Sequence, residues 1–323
     1  MALTLADLLT SPDHYLHALD GEDAVFVPMD RAAYHRSIFL DGRISAAAAG
    51  SMRLPLGALS GHVLQAARTG WIFHVAHCGS TLLARALDAP EHNLILREPL
   101  ALRQVALAPD SKRLALVAAM LGKRYRPEAP TIVKANVPVN FLLPELVALD
   151  PSAPAIFLYL DLRDYLLAIL RSADHRAWLH RVTGQLAGHL GDLAGLDDGE
   201  RAAALWLAQI RAYVRALGSL SNGRSLSAER FFSDPAKVLT AAAEHFAVPI
   251  DAAAAEAITE GPLFATYSKN PSLPFDNAAR IQRREALAST LKKEIAAGEA
   301  WIARHGADAA SALGKLADAA LAG

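Results

Sequence analysis

Residues 71–90 read WIFHVAHCGSTLLARALDAP. Trp71, Ile72, Phe73 and Val75 have the aromatic and β-branched character of an interior strand, whereas Leu82, Leu83, Ala86 and Leu87 recur at a helical period. Between the two lies His77-Cys78-Gly79-Ser80-Thr81, a loop rich in small residues that feeds a helix start. Such a loop leaves backbone N–H groups without intrahelical partners and places the positive end of the helix dipole behind them. The expected ligand is an anion, in the first place a phosphate. The competing reading is a tight strand-to-helix turn that binds nothing.

What the loop lacks narrows the choice of phosphate ligand. An ATP or GTP site of the form G-x-x-x-x-G-K-[ST] sets a lysine after its second glycine. Here Ser80 follows Gly79, and His74 stands where the first glycine belongs. Gly79-Ser80-Thr81-Leu82-Leu83 instead resembles the 5′-phosphosulfate loop of the sulfotransferases, P-[KR]-S-G-[TS]-T-[WL]-L, while Ala76-His77-Cys78 departs from its Pro-[KR]-Ser. That resemblance implies that His77, Cys78, Gly79, Ser80 and Thr81 hold 3′-phosphoadenosine 5′-phosphosulfate (PAPS), whose product is 3′-phosphoadenosine 5′-phosphate (PAP).

The 323 residues, 53% hydrophobic and 20% charged, suffice for one large α/β domain, alone or with an appendage. A formal net charge of −1 speaks against general binding to nucleic acid or a membrane surface. No apolar run reaches the length of a membrane span, and Met1 to Asp20 shows no basic stretch followed by an apolar one, so the expected compartment is the cytoplasm. Cys78 is the only cysteine, which rules out an intrachain disulfide and a thiolate metal cluster. A helix N-terminus lowers the pKa of an exposed thiol; alternatively Cys78 is there as a small side chain.

Residues 1–70 read as a leading segment without chemistry of its own. Leu3, Leu5, Leu8 and Leu9 suggest a short helix, and Ala24 to Pro28 a short strand. The segment is expected to cover an edge of the main unit, residues 71–323, or to form the contact of a homodimer.

Asn93 to Leu96 should be a second strand, ending in Arg97-Glu98-Pro99. In open parallel sheets ligands bind beyond the carboxyl ends of the strands, so Glu98 is expected to face the same crevice as the loop. In the tyrosylprotein and carbohydrate branches of the sulfotransferases a Glu at about this distance is the catalytic base. The other reading makes Glu98 the ion-pair partner of Arg97 or Arg103. Thr131 to Pro138 resembles the family's K-x-H-x-P segment: Lys134 and Pro138 match, and Asn136 replaces the histidine that serves as base in the cytosolic branch. Asparagine accepts no proton at neutral pH, which moves the proposed base to Glu98. The same resemblance implies that Lys134, with His77, stabilises charge on the transferred group.

Ala155 to Leu160 is a continuous apolar run of the kind that parallel sheets bury on both faces. It delivers Asp161-Leu162-Arg163-Asp164, then a helix from Tyr165 to Ser172. The family binds a 3′-phosphate here, with an Arg at the strand end and a Ser eight residues on. Arg163 fits the first position, and Arg171 or Ser172 the second. His175, His180 and His189 have no metal-ligand spacing and are expected to be polar helix and loop residues. Gly184 to Gly199 reads as a bend before a long helix, Glu200 to Leu217. Arg224 to Phe231 reads as a last strand, and Ser233-Asp234-Pro235 starts the helix that follows. Tyr267 to Pro271 is a polar loop where the family closes a basic loop over the 3′-phosphate, which implies that role for Lys269.

Strands beginning near 71, 93, 131, 155 and 224, alternating with helices, give an α/β fold of the P-loop type, a doubly wound and mostly parallel sheet with helices on both faces. The resemblance covers about Trp71 to Asn270. It implies sulfuryl transfer from PAPS to a hydroxyl or amine on a small-molecule or carbohydrate acceptor, with no metal. The rivals are a small-molecule kinase using ATP and Mg²⁺, with Asp161 as the metal carboxylate, and a nucleotide-binding protein that has lost catalysis.

Overall fold

The computed structural model describes residues 4–60, 62 and 68–322. Leu3 of the expected first helix lies outside them; the helix is Leu5–Thr10, closed by a capping box between Thr4 and Asp7. Three antiparallel strands follow in the order of the chain: β1 (His14–Asp20), β2 (Asp23–Pro28) and β3 (Met52–Pro55). The central sheet has five strands, β4 (Thr69–His74), β5 (Leu94–Arg97), β6 (Thr131–Lys134), β7 (Ala155–Tyr159) and β8 (Gly223–Ser227). They are parallel throughout and ordered β5-β6-β4-β7-β8. The five expected strands are therefore all present. The last is shorter than the expected Arg224 to Phe231, because Ala228–Ser233 turns into a helix directly after Ser227.

The sheet is buried on both faces, with every residue of β4, β5, β6 and β7 inside. Stacked rings fill its middle: Phe73 lies 5.3 Å from Phe157, and Trp71 5.9 Å from Phe73. The 20-residue helix Asp198–Leu217 crosses one face, and its Trp206 donates Nε1–H to the Leu160 carbonyl at 2.8 Å, which pins the exit of β7. Gln209 of the same helix accepts from Asn140, whose amide also donates to the His74 carbonyl at 3.0 Å. Two buried hydrogen bonds thus fix the point where β4 leaves the sheet.

One hydrophobic core runs through the N-terminal layer and the sheet, from Leu8 to Leu316. The N-terminal layer is pinned beside β5 by polar contacts as well. Gln104 both donates to and accepts from the Leu19 backbone, at 2.7 and 2.8 Å. Arg97, fully buried at the end of β5, donates to the carbonyls of Tyr34, His35 and Ser37 and pairs with Asp88 at 2.8 Å. After the sheet a short hairpin, β9 (Thr266–Tyr267) with β10 (Asn270–Pro274), leads into the helix Asn277–Thr290. No helix among the described residues is long and apolar enough to cross a membrane.

Candidate active site

The strand β4 ends at His74, and after five intervening residues the helix Ser80–Ala86 begins. To turn that sharply the backbone enters the left-handed region at Ala76 (φ 76°), His77 (φ 51°) and Gly79 (φ 88°). Only glycine adopts such a φ without strain, so Ala76 and His77 store some, of the kind that collects at functional sites. Gly79 is required twice over, since a Cβ there would also come within 2.9 Å of the Phe232 ring. Glu98 is a third non-glycine residue with positive φ, at 56°. The strained residues at the exits of β4 and β5, the two strands that flank β6, therefore lie at the same end of the sheet.

Two cavities open at that end. The first, about 140 Å³, lies along the loop from His77 to Leu82 and is closed by Phe232, Phe275 and the hairpin segment Thr266 to Lys269. The second, about 570 Å³, is bounded by Phe39, Glu98, Asn136, Trp178 and their neighbours. His77 and Lys269 line both. A group held on the loop and a group held in the larger cavity face each other across these two side chains.

The first cavity is rich in cations. Arg280 and Arg284 are already held by Glu229, at 2.6 to 2.8 Å, and Arg284 also pairs with Asp164. Arg283 donates to the Tyr267 hydroxyl at 2.5 Å, and Arg171 to His175 Nε2 at 2.9 Å. Arg171, Arg283 and Lys269 therefore face the cavity without a carboxylate partner among the described residues. Thr81 carries a buried hydroxyl with no hydrogen-bond partner, an expensive state unless a ligand satisfies it. Phe232 lies under the Arg280 guanidinium, 4.3 Å from its centre, and with Leu160, Leu167 and Leu287 supplies an apolar wall.

At the second cavity the main chain of Glu98 donates to the Lys134 carbonyl at 2.7 Å, and Lys134 Nζ donates back to Glu98 Oε1 at 2.5 Å. Lys134 is 0% exposed and the Glu98 side chain 17%. Burial pushes the Glu98 pKa up, but the charges of Lys134 and Lys269 and the hydrogen bond from Lys134 outweigh it and leave the carboxyl below its ordinary value. Glu98 is thus ionised at neutral pH. His74, 3.1 Å from Lys134 Nζ, and His77 are both pulled far below the usual histidine value, by desolvation first and nearby cations second, and are neutral. Desolvation by the cleft walls also lowers the pKa of Lys269.

The structure rearranges several expected roles. Lys134 reaches Glu98 rather than either cavity, and the cation that faces both is Lys269. Arg163 is not in the crevice: its side chain is 57% exposed and pairs with Glu299 at 3.5 Å, because the helix after β7 begins at Leu162 and turns Arg163 outward. Ser172 is also elsewhere, with its hydroxyl spent capping the helix Ala173–Gln185. Arg171 does line the first cavity. Cys78 is buried and its thiol pushed up by desolvation, so the condition of exposure for an activated thiol is not met and the reading of Cys78 as a small side chain is the one that fits. Asp161 is exposed and lines neither cavity.

Other contributors were invisible in the sequence. Residues 1–70 do reach the chemistry: Phe39, Asp41 and Arg43 line the second cavity. The Leu40 backbone clamps the turn at Glu98 from both sides, donating to the Arg97 carbonyl at 2.7 Å and accepting from Leu100 N–H at 3.1 Å. His175 and Trp178 pack on His77, with ring centres 4.4 and 5.6 Å away. The three-four spacing of Asp174, Trp178, Arg181 and Gln185 was the available signal, since it puts all four on one helix face.

No protein-family model matches the chain, and no curated protein does. Among solved structures the chain is similar to a sulfotransferase from Alicyclobacillus acidocaldarius, at 16% identity and a TM-score of 0.41, over 73% of this chain and 96% of that one. It is also similar to the sulfotransferase domain from the curacin biosynthetic pathway, at 13% identity and a TM-score of 0.41, over 74% of this chain and 98% of that one.

Proposed function

We propose that the protein transfers a sulfuryl group from PAPS to a hydroxyl or amine of an acceptor. The observation that carries this reading is the junction of the two cavities at His77 and Lys269, with the strained loop on one side and the ionised Glu98 on the other. The residues present match the charged and apolar groups of the donor, and the first cavity, about 140 Å³ in this structure, has to widen to take the whole nucleotide. Loop N–H groups and the unsatisfied Thr81 hydroxyl would hold the 5′-phosphosulfate, Arg171 and Arg283 the 3′-phosphate, and the wall around Phe232 the adenine. PAPS bound there would supply an activated sulfuryl group and leave as PAP.

Glu98 takes the proton of the acceptor hydroxyl or amine, for which it has to come within hydrogen-bond reach of it. Lys134 keeps Glu98 ionised and fixes its orientation through the short hydrogen bond. Lys269 and the loop N–H groups stabilise negative charge where it grows, at the junction of the cavities. Neutral His77 adds a polar ring to that junction and shields it from water together with Trp178. The kinase alternative is less well served, because Asp164, which lines the first cavity, is engaged by Arg284 rather than open to a magnesium ion.

Arg171→Ala and Arg283→Ala should each weaken PAP by roughly tenfold or more while changing the affinity for adenosine 5′-phosphosulfate, which lacks the 3′-phosphate, much less. Arg163→Ala should change neither. Calorimetric titration of the three variants with both nucleotides reads this. Loss of PAP binding in Arg163→Ala alone would contradict the assignment.

A further inference from the structure

The second cavity carries charge that the proposed transfer does not use. Of its acidic residues, Glu98 is matched by Lys134, and Asp41 by Arg43, which it holds at 2.5 Å. Asp174 lies in the first turn of the helix Ala173–Gln185, where the helix dipole favours a carboxylate. Arg103 and Arg181 also line it, and neither has a carboxylate partner among the described residues. Arg103 donates to Gln185 Oε1 at 3.3 Å, and Gln185 stands one helical turn from Arg181. Arg181 and Gln185 are both exposed, so this helix face and the Arg103 bonded to it form the solvent side, the mouth, of the cavity. At the opposite end, beside Glu98, the buried Asn136 side chain leaves its Oδ1 without a donor.

The polarity of the cavity therefore runs one way. Its floor offers hydrogen-bond acceptors, Glu98 and Asn136 Oδ1, suited to an O–H or N–H of the molecule that enters. The flat rings of Phe39 and Trp178 also line the cavity. Its mouth offers two guanidinium groups, whose forked donors match the two oxygens of a carboxylate or phosphate. The volume, about 570 Å³, is that of a small-molecule site. Resting on the reading of this cavity as the acceptor site, we infer that the acceptor is a small alcohol, phenol or amine bearing an oxyanion at the end remote from the reacting group, and that Arg103 and Arg181 select it.

Phenols of similar size that differ in the tail provide the test: 4-hydroxyphenylacetate, 4-hydroxybenzylphosphonate, tyrosol with a neutral tail and tyramine with a cationic one. Affinities are measured by ligand-observed NMR titration of the full chain without any sulfuryl donor, so the result does not depend on PAPS being the donor. At least one of the two acids should bind about tenfold more tightly than tyrosol, and tyramine most weakly. Whichever acid binds better identifies the anion as carboxylate or phospho group. Arg103→Glu with Arg181→Glu should invert the order of the acids and tyramine. If that double variant fails to fold, the single variants Arg103→Gln and Arg181→Gln should each narrow the preference. Equal affinities, no binding of either acid at millimolar concentration, or a preference untouched by the variants would overturn the inference. An acid that binds as expected but receives no sulfuryl group from PAPS would count against the proposed function and leave this assignment standing.

Discussion

Glu98→Gln should lower kcat by about 10²–10⁴-fold, the usual contribution of a positioned general base, while leaving PAP affinity nearly unchanged. Glutamine keeps the size of the side chain and can still accept from Lys134, so the hydrogen bond that orients position 98 survives in neutral form. The variant removes the capacity to take a proton and also the negative charge that compensates the buried Lys134, so a loss of stability is expected beside the loss of rate. Initial rates with PAPS and 4-hydroxyphenylacetate, alongside a PAP titration, separate chemistry from binding. A variant that loses PAP affinity and rate together would show Glu98 to be a structural ion-pair partner, and unchanged kcat would send the proton to His77.

The second large effect is expected from Lys134→Met. Lys134 is 0% exposed, and among the described residues its one carboxylate partner is Glu98. Removing it leaves a nearly buried carboxylate uncompensated, which in comparable pairs costs about 3–5 kcal/mol. The sign of the pH dependence follows from the direction of the Glu98 shift. A carboxyl whose pKa is lower folded than unfolded stabilises the protein at every pH above its unfolded value, and that contribution fades as the pH falls through the folded value. The loss in Lys134→Met should therefore be largest at neutral pH and shrink in acid, as read by urea unfolding at several pH values. Activity should move in step: wild-type rates should hold down to below the ordinary carboxylate range near pH 4.3, and the acid limb should move upward in the variant. A loss of stability independent of pH would mean that Lys134 acts by packing alone.

The sheet could be read from the chain because its strands are short and almost wholly apolar, and buried parallel strands carry no alternation to misread. The loop and Glu98 followed from the rule that ligands gather beyond the carboxyl ends of such strands. Arg163 failed for a local reason. Its place after β7 is right for the crevice, but the helix begins at Leu162, three residues before the expected Tyr165, and the turn carries its side chain out to Glu299. A shift of a few residues at a helix start cannot be seen in composition. Arg283, Phe232, Phe39 and Trp178 come from distant segments and reach the cavities only through packing. The helix that holds Arg280, Arg283 and Arg284 is charged enough to pass for a solvated one, yet three contacts to Glu229 and one to Tyr267 turn that face toward the first cavity. The N-terminal layer looked inert since its residues match no motif, and its clamp on Glu98 is made by the backbone of Leu40, which no side-chain pattern reports.

Whether the first cavity is a PAP site is decided most directly by calorimetric titration with PAP in the presence of EDTA, set beside a titration with ATP and Mg²⁺. The expected result is saturable one-to-one binding of PAP that chelation of metal leaves unchanged, with ATP weaker whether or not magnesium is present. Tight ATP binding that requires magnesium, together with no binding of PAP, would contradict it.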